Sequence, residues 1–289
     1  MFENVKQGWA LGKQVRKLVF SDRDLVLYPV LSAVVVFAEM LLIFGTLIFV
    51  GFGLPGASSA GVALQVMYLA GLFIFYLAST FTSTYILVAL LLAFRGYAAG
   101  KKISMGEAFS QTRQYAKLIL EWAVFFSIVL MVIRLIEQRL GMMGRLIFGL
   151  AAGVTVSVAT LFVVPVIIDN KVGPIKAIKQ SAQFFFNNFG KSFGGLIYSD
   201  MYNLMFIGSG IALIMLGALS ASVSPILGIS VVVLGVVLLV FGIMMNFLTT
   251  NVFKLILYEY TNGRGLPSGI DESLIKNSVK KGRSAPVAQ

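Results

Sequence analysis

The sequence predicts an all-α polytopic membrane protein. Six transmembrane helices are expected, arranged as three repeats of an amphipathic interface helix followed by a transmembrane hairpin. Three observations carry this. The chain is 58% hydrophobic and only 12% charged over 289 residues, about half the charge of a soluble domain. Several apolar runs exceed the ~20 residues that cross a bilayer. One polar pattern is written twice, as "GEAFSQTRQYAKLI" from Gly106 and "GPIKAIKQSAQFFFNNFG" from Gly173.

Taken in order, the apolar runs place spans at residues 25–50, 62–94, 118–137, 146–168, 193–219 and 226–258. The second and sixth are longer than the hydrocarbon requires, so they are expected to tilt or to run on beyond it. The sequence thus reads as a single integral membrane domain over residues 1–260, with repeat units near 1–100, 101–170 and 171–260. Residues 261–289 read as a cytoplasmic tail with a short helix around 271–279.

The charges orient the spans. Net charge is +11, and twenty of the 23 Lys and Arg fall in the N-terminal segment, the second and fourth connections and the C-terminal end. Only Arg134, Arg139 and Arg145 belong to the other side. Positive charge stays cytoplasmic, so a multi-pass cell-membrane protein with both termini in the cytoplasm is expected. The basic balance then needs no nucleic acid. Its expected partners are membrane lipids, above all anionic headgroups at the cytoplasmic face, where each basic residue is worth about 1 kcal/mol. Protein partners within the membrane are compatible with the same surface.

There is no cysteine and no histidine. Thiolate nucleophiles and imidazole acid–base work are excluded. Zinc, haem and iron–sulfur sites lose their usual ligands. No nucleophile–base pair or metal motif stands out either, so no cofactor, no metal and no enzymatic activity are expected.

The repeated pattern aligns when Ala108 is set over Ala177. Gln111 and Gln114 then recur as Gln180 and Gln183, Thr112 as Ser181 and Tyr115 as Phe184. On a helical wheel Met105, Ala108, Thr112 and Ala116 share the side of Phe109, with Glu107, Gln111 and Gln114 opposite. Around Ile178 the same arrangement holds, with Ala177, Ser181 and Phe185 on one side and Lys176, Lys179, Gln180 and Gln183 on the other. Such helices lie in the membrane interface, apolar side down and basic side wet. The four glutamines Gln111, Gln114, Gln180 and Gln183 form a candidate polar face at the inner mouth of the bundle. An amide both donates and accepts there without carrying charge. "NVKQGWALGKQVRKLVF" at the N-terminus fits loosely as a third copy.

Two stretches carry a resemblance. "FSDRDLVLYPVLS", residues 20–32, and "LFVVPVIIDNKVGPIKAIKQSAQFFFNNFGKSFGG", residues 161–195, resemble a family of uncharacterised integral membrane proteins, domain of unknown function 6159. The resemblance would run to about Tyr260. The alternation of interface helices and hairpins also resembles the membrane domains of some glycerophosphodiesterases. Their catalytic barrel and metal-binding Glu and His residues have no counterpart here, so the resemblance implies a fold and no activity.

Glu39 is the most exceptional residue for its position, a carboxylate near the middle of the first span in "VVVFAEMLLIF". A charge at that depth costs roughly 2.5–3.5 kcal/mol on insertion scales. It is expected to face the bundle and to be hydrogen-bonded, with Asn203, Asn246, Thr82 or Thr84 as partners. Asp200 and Asn203 share a face of the fifth span at i, i+3, and Asn246 lies in the sixth. Glu39, Asp200, Asn203 and Asn246 together form the candidate intramembrane polar site. Two functions stay open. One is a non-enzymatic lipid-interacting scaffold or accessory membrane subunit. The alternative is a transporter or channel for a small solute, ion or lipid that uses those four residues. Arg134 and Glu137 are expected to pair at the outer end of the third span, and Pro165 to bend the fourth.

Overall fold

In a computed structural model the chain is described at residues 2–53, 61–188, 194–222, 224–267 and 269–276. Within these residues every regular element is a helix. In order they are α1 (Phe2–Ser21), α2 (Arg23–Gly53), α3 (Gly61–Ala98), α4 (Met105–Thr112), α5 (Ala116–Arg139), α6 (Met142–Thr160), α7 (Val163–Asn170), α8 (Pro174–Asn188), α9 (Gly194–Ser220), α10 (Pro225–Thr261) and α11 (Glu272–Lys276). Among the described residues five stretches are long and apolar enough to cross a membrane: Asp24–Phe49, Gly61–Ala98, Met105–Arg139, Met142–Asn170 and Pro225–Thr261. They fall on five of the six expected spans. The remaining one coincides with α9, whose stretch Leu204–Ser220 is apolar but shorter. Large apolar side chains point outward along these helices, Phe49 at 78% and Ile226 at 81% exposure among them. A water-soluble bundle would turn such residues inward.

The chain forms two compact units. The first holds Met1–Val30, Phe94–Lys102 and Phe186–Gln289. Its α1 packs on α9 and α10 with Leu11, Val15, Leu18 and Val19 buried, the i, i+4, i+7, i+8 stripe of an amphipathic helix. Asp22 interrupts the path from α1 to α2, and its carboxylate accepts the Asp24 N–H at 3.1 Å. This is an N-cap, which satisfies a donor that the first helical turn leaves open.

The α9–α10 hairpin of this unit is built on glycine. Gly228, Gly235 and Gly242 lie seven residues apart on α10, and all three are buried. A seven-residue spacing keeps them on one seam. Across it, a Cβ on Gly210 would stand 2.7 Å from Leu239 N, and one on Gly217 2.7 Å from Val232 N. The backbones therefore touch. Lipid supplies no hydrophobic drive between helices, so close backbone packing of small residues is what holds them.

The second unit holds Leu31–Ala93 and Ile103–Phe185. In it α2 packs on α3: Phe44 meets Phe75 edge-on at 5.4 Å, and Leu47 fills the space beside Gly71. Ser104 caps α4 by accepting the Glu107 N–H. A 3₁₀ turn at Arg113–Tyr115 then joins α4 to α5. At the far end of α5, Arg134 and Glu137 pair at 3.6 Å, i to i+3, and Arg145 Nε donates to the Glu137 carbonyl.

The expected fourth span is broken rather than bent. Its two parts, α6 and α7, meet at Leu161 and Phe162. Pro165 explains the break. Its ring excludes the carbonyl four residues back, that of Leu161, and it has no N–H to give. The Phe162 N–H instead donates to Ser181 Oγ on α8 at 3.0 Å. Lys171 ends α7 in the left-handed conformation, φ 49, and Pro174 opens α8 at its first position, where a missing N–H is no loss. The short C-terminal helix is α11. Residues 277–279 of the expected helix lie outside the described residues.

Candidate functional site

The glutamine face comes from α4, which carries Gln111, the 3₁₀ turn after it, which carries Gln114, and α8, which carries Gln180 and Gln183. Ala108 and Thr112 are buried on α4, and Ala177, Ser181 and Phe185 on α8. The positions paired by the alignment, Ala108 with Ala177 and Thr112 with Ser181, are all at 0% exposure. Phe109 stacks on Tyr85 at 6.1 Å. The side expected to meet lipid thus packs at least in part on protein: Phe185 is 4% exposed, and small residues at 108, 112, 177 and 181 let the neighbours approach. Gln111 and Gln114 are exposed, as is Gln183, while Gln180 is half-buried. Gln111 donates to Glu107 within its own helix at 3.3 Å. Gln180 reaches another element, accepting from Asn170 Nδ2 at 2.9 Å.

Glu39 is held within the second unit by two hydroxyls of α3. Thr82 Oγ1 donates to one carboxylate oxygen at 2.6 Å and Ser79 Oγ to the other at 3.2 Å. Thr82 was among the expected partners, and Ser79 was not. Both lie one turn apart on α3, so a single helix face serves both oxygens. Thr84, also on α3, is buried, but the two hydroxyls on the Glu39 carboxylate are those of Ser79 and Thr82.

Asn246 belongs to the first unit, on α10, where its side-chain oxygen accepts from Thr250 Oγ1 at 3.3 Å. Asp200 and Asn203 lie on the α9 backbone, and their side chains are outside the described residues. The four residues of the candidate intramembrane site are thus divided between the two units.

A second charged constellation, which the sequence reading missed, lies in the first unit. Arg95, in the last turn of α3, places Nε and Nη2 at 2.8 and 2.6 Å from one oxygen of Glu259 near the end of α10. Arg264 places Nη1 at 2.8 Å from the other oxygen. Glu259 is buried, and a carboxylate taken out of water needs such donors. In the same unit Lys102 reaches Asp22 and Asp24 at 3.0 Å each. These bonds, Asp24 first and Asp22 second, hold the Lys102 ammonium above the ordinary lysine pKa. The available signal was positional. Arg95 and Glu259 each follow a long apolar run closely.

With the fold and both clusters in view, the chain can be set beside known proteins. A family model described as a family of unknown function, DUF6159, matches residues 66–266. The chain belongs to this family. The DUF6159 match includes the stretch at residues 161–195 and begins after the one at 20–32. It also takes in Arg95, Glu259 and Arg264 together with both glutamine helices. No curated protein and no solved structure matches the chain.

Proposed function

We propose that this DUF6159 member is a non-enzymatic, lipid-interacting membrane protein that serves as a scaffold or accessory subunit in the bilayer. One observation carries the reading. On α8 Ile175 and Phe186 are 72% and 66% exposed and lie eleven residues apart, three turns, on one line of the helix. Lys179 falls close to that line, and Lys176 borders it. Outward apolar side chains beside lysines are what a helix in the headgroup region presents. The same packing face and polar face on α4 support a repeated unit, in which each such helix precedes a hairpin. The 27 residues of α9 span about 40 Å as a helix, enough to make it the sixth crossing. The charge pattern supports cytoplasmic termini. Glu39 favours the scaffold over the transporter, since both its oxygens are engaged by a neighbouring helix.

Spin labels at positions 175 and 186 in vesicles test the lipid contact. Both are expected to be reached by lipid-soluble oxygen and shielded from a water-soluble nickel complex. Labels standing in bulk water would overturn the reading. For orientation, an impermeant thiol reagent on intact cells should modify S58C and leave S278C untouched; the reverse pattern would invert the topology.

A further inference from the structure

A pocket of about 420 Å³ opens in the first unit between the ends of α3 and α10 and the segment that follows α10. Its polar wall is Arg95, Glu259 and Arg264, and Ala98, Ile256 and Leu266 contribute to its apolar wall. We propose that this pocket is a binding site for a phosphate-bearing anion, met in the membrane as the phosphodiester headgroup of an anionic phospholipid. The proposal rests on the lipid-interacting reading above and names the place where such a lipid sits.

Charge is the first argument. Two guanidinium groups share one carboxylate, so the three side chains carry a surplus of one positive charge. Helix C-termini oppose anions through their open carbonyls. Here the following backbone closes them: Lys101 N–H bonds to the Gly96 carbonyl and Arg264 N–H to that of Glu259. A surplus of one charge matches a phosphodiester, which is a monoanion, better than a dianion.

Geometry is the second argument. A guanidinium presents parallel N–H donors that fit phosphate oxygens as a fork. Glu259 accepts from Nε and Nη2 of Arg95 and from Nη1 of Arg264, which fixes both guanidinium planes before any ligand arrives and lowers the ordering cost of binding. Arg264 stands at the rim with a side chain 46% exposed, while Arg95 lies deeper at 23%. A headgroup can therefore reach Arg264 first and be drawn toward Arg95.

Depth is the third argument. Both helices that frame the pocket are long and apolar enough to cross a membrane, and the pocket lies at their last turns. Basic pockets between membrane helices at this level are where anionic headgroups bind. The apolar wall suits the glycerol and first acyl carbons, and the volume lies within the range of small-molecule sites.

The test uses the full-length protein in detergent, with binding read by native mass spectrometry. Short-chain phosphatidylglycerol, phosphatidylcholine and soluble glycerol 3-phosphate are the probes. Wild type is expected to prefer phosphatidylglycerol. Arg264→Gln should weaken that binding about fivefold, the worth of one basic residue at a membrane surface. Ala98→Trp, which fills the pocket and leaves the charges, should abolish saturable binding. If Ala98→Trp does not fold, Arg264→Lys takes its place, and a loss on removing the fork alone supports the site. Competition by glycerol 3-phosphate would support recognition of the phosphate group from either source. Competition by lipid only would assign the membrane source. A phosphatidylglycerol preference unchanged in every variant overturns the pocket and leaves the lipid-interacting reading intact, with Arg95, Glu259 and Arg264 a staple for the chain after α10. No preference in wild type overturns both.

Discussion

Ser181 on α8 accepts the main-chain N–H of Phe162 at the break between α6 and α7. The break is imposed by Pro165, and the hydroxyl takes up a donor that the interrupted helix would otherwise bond to itself. Both groups are buried. Ser181→Ala should therefore cost about 1–3 kcal/mol, the price of a buried donor losing its acceptor. Pro165→Ala lets α6 run on into α7 and offers Phe162 a helical acceptor, so the Ser181→Ala cost should shrink in that background. Thermal unfolding of the two single variants and the double variant checks this cycle. Additive losses would separate the hydroxyl from the break.

Glu39 stands with one hydroxyl on each carboxylate oxygen, Thr82 and Ser79. An amide preserves an acceptor, and a hydroxyl can turn to accept from its NH₂, so Glu39→Gln should leave stability nearly unchanged. Glu39→Leu removes both interhelical bonds. At about 0.6 kcal/mol each the loss should be near 1 kcal/mol, softened because Ser and Thr can bond back to their own helix. Thr82→Val should add little once Glu39 is Leu. Side-by-side melting in detergent decides it, and equal stability of wild type, Gln and Leu variants would remove the hydrogen-bond role.

Lys102 donates to Asp24 and Asp22, and its pKa is raised by those bonds. A raised folded-state pKa means that the folded chain holds the proton more tightly than the unfolded one. The stabilisation is complete below the ordinary lysine pKa and is lost as the pH climbs through the raised value. Lys102→Met should melt below wild type at neutral pH, and the gap should close in the alkaline range. Because Lys102 is exposed, the gap at neutral pH should also narrow in high salt. A gap that widens with pH would contradict the assignment.

What was legible in the sequence was local. Apolar runs located the helices, and the wheel placed Ala108, Thr112, Ala177 and Ser181 on one side, where they are buried. Pro165 marked the place in the fourth span, although a bend was expected there and the helix is broken. Thr82 was reachable as a partner because a hairpin brings the depths of adjacent spans together. The pairing of Arg95 with Glu259 was not legible, for the two are 164 residues apart and no periodicity links distant helix ends. The same limit applies to the pattern of compact units. Phe94–Lys102 joins the chain's two ends in one unit, an interleaving that boundaries read along the chain do not express. Ser181 shows the limit at a single residue. Its alignment with Thr112 was visible, yet Thr112 bonds back to Ala108 within α4, while Ser181 serves α7's broken start. The same hydroxyl position does different work because only one of the two faces a proline break.

The glycine seam yields the most selective prediction. Alanine is the better helix former by up to about 1 kcal/mol, so a glycine in an open helical position should gain from replacement. Gly208 on α9 is such a position, with nothing within 4 Å of an added Cβ. Gly235 on α10 is the opposite case: an added Cβ would stand 2.8 Å from both the Gly210 carbonyl oxygen and Ile214 N. Those atoms are backbone, so relief requires the helices to separate, at a cost of about 1–3 kcal/mol or more. Gly208→Ala should thus hold or raise the melting temperature, and Gly235→Ala should lower it. Gly210→Ala should behave like Gly235→Ala, since its Cβ would meet Leu239 N at 2.7 Å. Combining Gly210→Ala with Gly235→Ala should cost less than the sum, because the first separation of the helices makes room for the second methyl. Melting curves of the four variants in one detergent make the comparison. If Gly235→Ala is as stable as Gly208→Ala, the backbones of α9 and α10 do not touch, and the seam is held by the side chains around it.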